Sequence, residues 1–108
     1  MSSISTHVLD TARGLPATGV DTVLEAYDGE SWRTIGQSTT DDDGRVRSFV
    51  PPGEALTTGT YRLRFKTATY QAGFYPEVAI TFAVTEPAQH YHVPLLLSPF
   101  GYSTYRGS

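Results

Sequence analysis

Alternation with a period of two is the feature that most narrows what this chain can fold into. In Thr60-Tyr61-Arg62-Leu63-Arg64-Phe65 every second residue is large and apolar, and an extended strand sends such residues to one face. The same alternation, rich in Val, Ile, Thr, Tyr and Phe, marks strands near Ile4–Thr11, Thr22–Tyr27, Trp32–Thr39, Arg45–Phe49, Thr60–Ala68, Glu77–Val84, Gln89–Leu97 and Tyr102–Arg106. Between them stand residues that turn a backbone. Asp28-Gly29 and Asp43-Gly44 tolerate the positive φ of a tight turn, and Pro51-Pro52-Gly53 and Ser98-Pro99-Phe100-Gly101 punctuate similarly. Only Thr69–Tyr75 lacks alternation while holding Ala and Gln, which predicts a helical turn or two ended by Pro76.

Short strands at this density in 108 residues predict an all-β fold, a β-sandwich of two packed antiparallel sheets, as one domain over 1–108. Tyr61, Leu63 and Phe65 are then core, and Arg62 and Arg64 face solvent. Ser98 reads as setting its hairpin and Tyr102 as filling interior space.

The net charge is −3 and the eight Lys and Arg form no run, so nothing resembles a phosphate-tracking stripe and nucleic acid is not an expected partner. No cysteine is present, which excludes disulfides and thiolate metal sites and fits a reducing compartment. No window approaches the ~18 apolar residues of a membrane helix, and the opening lacks a basic stretch followed by an apolar one. The expectation is a soluble cytoplasmic protein, or a periplasmic one if a leader was removed.

Histidine is the informative residue type, with three copies, all on predicted strands. His90 and His92 are two apart and share one strand face, whereas Tyr91, Val93 and Leu95 share the other. The apolar face belongs to the core, so the His pair looks outward, toward solvent, a partner subunit or a ligand. His7, in Thr6-His7-Val8-Leu9-Asp10, says little alone, and Arg45 beside its turn reads equally as a solvated strand residue. His7, His90 and His92 could together offer a metal three imidazoles with water in the fourth position, but no pattern of Asp, Glu or Cys fixes such a set. The reading is therefore no metal and no cofactor. There is no Gly-x-Ser-x-Gly elbow, Gly-rich phosphate loop or zinc-protease helix motif, which leaves water as the better nucleophile. The chain keeps Tyr102, Tyr105 and Arg106 to its end; frayed ends are usually polar tails, so this one reads as docked.

His90-Tyr91-His92-Val93-Pro94-Leu95-Leu96-Leu97-Ser98-Pro99 and the ending Tyr105-Arg106-Gly107-Ser108 resemble the 5-hydroxyisourate hydrolases of the transthyretin-like family. His7-Val8-Leu9-Asp10-Thr11-Ala12-Arg13-Gly14-Leu15-Pro16-Ala17 resembles that family's opening strand and loop, and Thr40-Asp41-Asp42-Asp43-Gly44-Arg45 its central turn. The resemblance implies two four-stranded sheets with one short helix, assembled as a homotetramer, a dimer of dimers with active sites at the dimer–dimer interface. It implies catalytic His7, Arg45, His92 and Ser108, with Arg45, Ser108 and Tyr105 binding the substrate 5-hydroxyisourate, a product of urate oxidation. His90 is not among the residues carried over. Two other readings compete: a non-enzymatic transthyretin-like carrier of a small hydrophobic ligand, and a generic β-sandwich module.

Overall fold

The structure, a computed structural model, describes residues 3–50 and 55–107. Its strands are β1 (Ser3–Asp10), β2 (Leu15–Pro16), β3 (Asp21–Tyr27), β4 (Trp32–Thr39), β5 (Arg45–Val46), β6 (Gly59–Lys66), β7 (Val78–Val84), β8 (His90–Ser98) and β9 (Gly101–Thr104). They form two sheets. One is four-stranded, ordered β4-β3-β6-β7 and antiparallel throughout. The other runs β2-β1-β8-β9, with β5 also paired to β1. It has five strands rather than four because two short ladders share the free edge of β1: β5 against Thr6 and His7, β2 against Leu9 and Asp10.

The alternation has the meaning expected of it. Tyr61, Leu63 and Phe65 point inward with Leu24, Ile80 and Val84, and meet Ile4, Val8, Tyr91, Val93, Leu95 and Leu97 from the facing sheet. Leu24, Leu63, Phe65 and Leu95 lose all contact with solvent, each such side chain contributing about 1.5–3 kcal/mol. Arg62 and Arg64 lie on the outer face as expected, but they are paired rather than simply wetted. Arg62 Nε donates to Glu25 at 2.8 Å and Arg64 Nη2 to Glu77 at 2.7 Å, while the Arg62 guanidinium also lies 4.1 Å over the Trp32 ring.

Five expectations require correction. The sheets are not wholly antiparallel, because β1 and β8 run parallel, with Ser5 opposite His92 and His7 opposite Pro94. In place of a helix over Thr69–Tyr75 there is one 3₁₀ turn, Thr67–Thr69. The Thr67 hydroxyl donates to the Tyr75 carbonyl and Ala68 N–H to the Pro76 carbonyl, while Phe74 N–H donates to Pro99; loop contacts thus replace helical hydrogen bonds. Arg45–Phe49 is a strand only over Arg45–Val46, and the last strand ends at Thr104 rather than Arg106. Pro94 explains the second shortening. In the β8–β9 register it falls where an N–H would bond across to Tyr105, and proline has none. Tyr102 is 43% exposed; it faces the core side by parity, but on an edge strand, where its ring packs edge-on against Tyr75 at 5.2 Å.

The turn chemistry is as expected where it is described. Gly29 and Gly44 have φ of 101° and 75°, and the Ser98 hydroxyl donates to the Gly101 carbonyl at 2.9 Å. Pro51-Pro52-Gly53 lies outside the described residues.

Candidate active site

The parallel pairing of β1 with β8 assembles the chemistry. Residues opposite each other in a sheet share a face, so Ser3 and Ser5 stand beside His90 and His92 on the outer surface, away from the core. On the other side of β1, His7 is paired with Arg45 of β5, which puts Arg45 on that same face. Arg45 reaches this position because Gly44 turns with positive φ close under Val8 and Ala17, where a Cβ would collide with the Val8 carbonyl oxygen. Val8 N–H donates to the Gly44 carbonyl at 2.7 Å. The Asp41 side chain accepts from the N–H groups of Asp43 and Arg45 at 2.9 and 3.0 Å, and the hydrogen bond with Arg45 is the chief reason its carboxyl stays below the usual carboxylate range.

The resulting cleft, about 230 Å³, is lined by Ser5, Thr6, Arg45, Val46, Arg47, His90 and His92. His92 is half-buried and His90 exposed, with ring centroids 6.4 Å apart and planes within 18° of parallel. Ser5, itself buried, bridges the two rings, its hydroxyl 2.7 Å from His92 Nδ1 and 2.9 Å from His90 Nε2. Ser3 hydrogen-bonds the remaining nitrogen of His90. Burial above all, then His90, Arg45 and His7, holds the His92 imidazole below its ordinary pKa, so it is neutral at neutral pH with one nitrogen available as a base. No carboxylate lines the cleft among the described residues.

Of the expected site residues, the structure brings Arg45 and His92 into one cleft and adds His90. His7 lies on the same face, half-buried, but does not line the cleft. Tyr105 is 58% exposed and away from the lining. Ser108 lies outside the described residues. The end of the chain is docked as far as Gly107, whose N–H donates to the His92 carbonyl at 2.9 Å and whose Cα lies so close that a Cβ would sit 2.5 Å from His92 Cδ2. Among the described residues no three His, Cys, Asp or Glu side chains are grouped to hold a metal ion, so His7 does not complete a three-imidazole set. Sequence reasoning missed Ser5 and Arg47. Both stand two residues from a chosen one, His7 and Arg45, and strand parity alone could have nominated them.

A model of the HIUase/transthyretin family matches residues 4–107. The chain belongs to that family. It is 44% identical to the 5-hydroxyisourate hydrolase of Caulobacter vibrioides, covering 100% of both chains. It is 48% identical to the uric acid degradation bifunctional protein TTL of Arabidopsis thaliana over 97% of its own length, and spans 37% of that longer protein. Among solved structures, the 5-hydroxyisourate hydrolase of Klebsiella pneumoniae superposes with a TM-score of 0.84 at 34% identity, covering 100% of this chain and 94% of that one.

Proposed function

We infer that this chain hydrolyses 5-hydroxyisourate, opening its six-membered ring with water to give 2-oxo-4-hydroxy-4-carboxy-5-ureidoimidazoline. The observation that carries the reading is His92: a neutral imidazole in a polar cleft, tied at Nδ1 to Ser5 and without a hydrogen-bond partner on Nε2 among the described residues. A nitrogen in that state takes a proton from water. Arg45, on the neighbouring strand, offers a fixed fork of donors to a planar, carbonyl-rich substrate and to the oxyanion that develops as water adds. His7, paired with Arg45 across the strands, helps His92 hold the water, and Ser108 orients a histidine or a substrate edge. A carrier of apolar ligands would want an apolar wall, whereas this cleft is walled by serine, threonine, arginine and histidine, with Val46 as the single apolar residue among the described lining.

The assembly belongs to the same proposal. Phe74 and Phe100 are 69% and 82% exposed, on segments joined by the hydrogen bond from Phe74 N–H to the Pro99 carbonyl, and water-exposed aromatic groups of this kind favour a partner surface. A second copy of the chain covers them, two such dimers make a homotetramer, and the outward cleft then opens at the junction of dimers. A cytoplasmic setting suits a chain without cysteine.

The test is the loss of absorbance of freshly generated 5-hydroxyisourate. The wild-type chain accelerates it, before and after chelator treatment, and His92→Ala lowers turnover by about 10²-fold or more. A wild-type rate equal to the spontaneous one would remove the hydrolase reading. Adding residues after Ser108 abolishes activity if the docked end belongs to the site and leaves it intact if it does not.

A further inference from the structure

We propose that Ser5 and His90 form a proton exit from His92, through which the proton released in each turnover leaves the cleft for solvent. The proposal rests on the hydrolase reading above and gives a proton-transfer step to two residues that the reading leaves without one.

Hydrolysis of a cyclic amide at neutral pH has a fixed proton balance. The oxygen of water bonds to the carbonyl carbon, the carbon–nitrogen bond breaks, and one proton of water ends on the leaving nitrogen. The second is set free when the new carboxylic acid ionises, since its pKa lies far below 7. One proton per turnover must therefore leave a cleft that holds product. It cannot rest comfortably on His92, whose imidazolium is opposed by burial and by His90, Arg45 and His7 around it. In hydrolases of the serine–histidine–aspartate type a carboxylate on Nδ1 stabilises that charge. Here no carboxylate lines the cleft among the described residues, and Nδ1 meets a hydroxyl that leads to a second imidazole.

The direction of the chain follows from donor counting. Ser5 has one proton and stands between two ring nitrogens. If it donates to His92 Nδ1, Nε2 carries the ring proton and His92 is no base. If instead His92 Nδ1–H donates to Ser5 Oγ at 2.7 Å, Ser5 O–H donates to His90 Nε2 at 2.9 Å and His90 Nδ1–H donates to Ser3 Oγ. This second arrangement alone leaves a lone pair on His92 Nε2. When Nε2 receives the proton of the product acid, each proton moves one bond along: Nδ1 to Ser5, Ser5 to His90, and His90 Nδ1 to Ser3 and bulk water. His92 stays neutral. Once product leaves, Nε2 returns its proton to cleft water, His90 recovers one from solvent and the chain reverses. The exit is open at its far end because His90 is exposed, and closed at its middle because Ser5 is buried.

The experiment compares wild type with His90→Asn, and with His90→Gln as a second variant, at low buffer concentration and with added imidazole as an external proton carrier. Thermal unfolding establishes that each variant is folded. Expected is a loss of kcat of about tenfold in low buffer, smaller than the ~10²-fold cost of losing the base itself, with KM unchanged and most of the loss restored by imidazole. Wild type does not respond to imidazole. Ser5→Ala loses at least as much kcat and is not restored, because the break then lies inside the sheet. Wild-type kcat in the His90 variants at low buffer, or a loss that imidazole does not restore, overturns the exit and leaves His90 a purely structural neighbour. In wild type, kcat measured across mixtures of light and heavy water bows as several protons move together, whereas a linear dependence overturns the proposal. An inactive wild type would strike the hydrolase reading instead, so the two failures are distinct.

Discussion

Replacing Gly107 by alanine tests whether the end of the chain is part of the site's geometry. A Cβ on Gly107 falls 2.5 Å from His92 Cδ2 and 3.4 Å from Pro94 Cγ. Ordinary contact begins at 3.4 Å, so the imidazole must yield by about 0.9 Å, and Pro94, already in contact, closes one way out. If the ring moves, it leaves the 2.7 Å hydrogen bond to Ser5; if the terminus moves, it leaves the 2.9 Å bond to the His92 carbonyl. Either loss costs about 1 kcal/mol of stability. The kinetic cost is larger, because a displacement near ~1 Å of a catalytic group can lower turnover by as much as ~10²-fold. Expected for Gly107→Ala is a fall in kcat between about tenfold and 10²-fold, with a urea midpoint lowered by about 0.3–1 M, the shift that ~1 kcal/mol produces. Gly101→Ala is the control, since its Cβ would meet only Ser98 Oγ at an ordinary 3.6 Å. A Gly107→Ala enzyme with kcat within about twofold of wild type would show that His92 tolerates the shift and refute the reasoning.

Two further predictions follow from charge and exposure. Because His92 is held below imidazole's usual value, the neutral base persists as pH falls, and the acid limb of kcat/KM is centred below ~6.5. Rates across a pH series check this, and a limb at or above that value contradicts it. The same shift has a stability sign: the unfolded chain takes up the proton first, so the contribution of His92 is complete above ~6.5 and lost as pH falls toward its folded value. Phe74→Asp combined with Phe100→Asp places charge on the exposed aromatic pair and shifts the elution of the assembly toward that of the 11.8 kDa chain in size-exclusion chromatography. Unchanged elution places the subunit contacts elsewhere.

Strand parity explains why much of this protein is readable from its residues. Tyr61, Leu63 and Phe65 had one face available to them, and so did Tyr91, Val93 and Leu95; once these are buried, His90 and His92 have to point outward. Local turn chemistry was equally readable at Gly29, Gly44 and Ser98, because positive φ and short side-chain hydrogen bonds depend on few neighbours. The errors have a common physical origin in contacts between distant segments. Nothing within Thr69–Tyr75 announces that Thr67 will bond the Tyr75 carbonyl and that Phe74 will bond Pro99, and nothing within Tyr102–Arg106 announces that Pro94 opposes Tyr105 without an N–H.

The site depends on the same kind of information. Each strand nominates its own outward residues, but only the parallel register of β1 on β8 sets Ser5 between His90 and His92. A slip of one residue would turn His92 and its neighbours to the opposite faces and bury a polar imidazole where Val93 now packs. The core therefore enforces the site: Ile4 beside Tyr91 and Val8 beside Leu95, all buried, hold the register that apolar packing selects. The bridge Ser5 makes between the two imidazoles is a consequence on the opposite face of the same sheet.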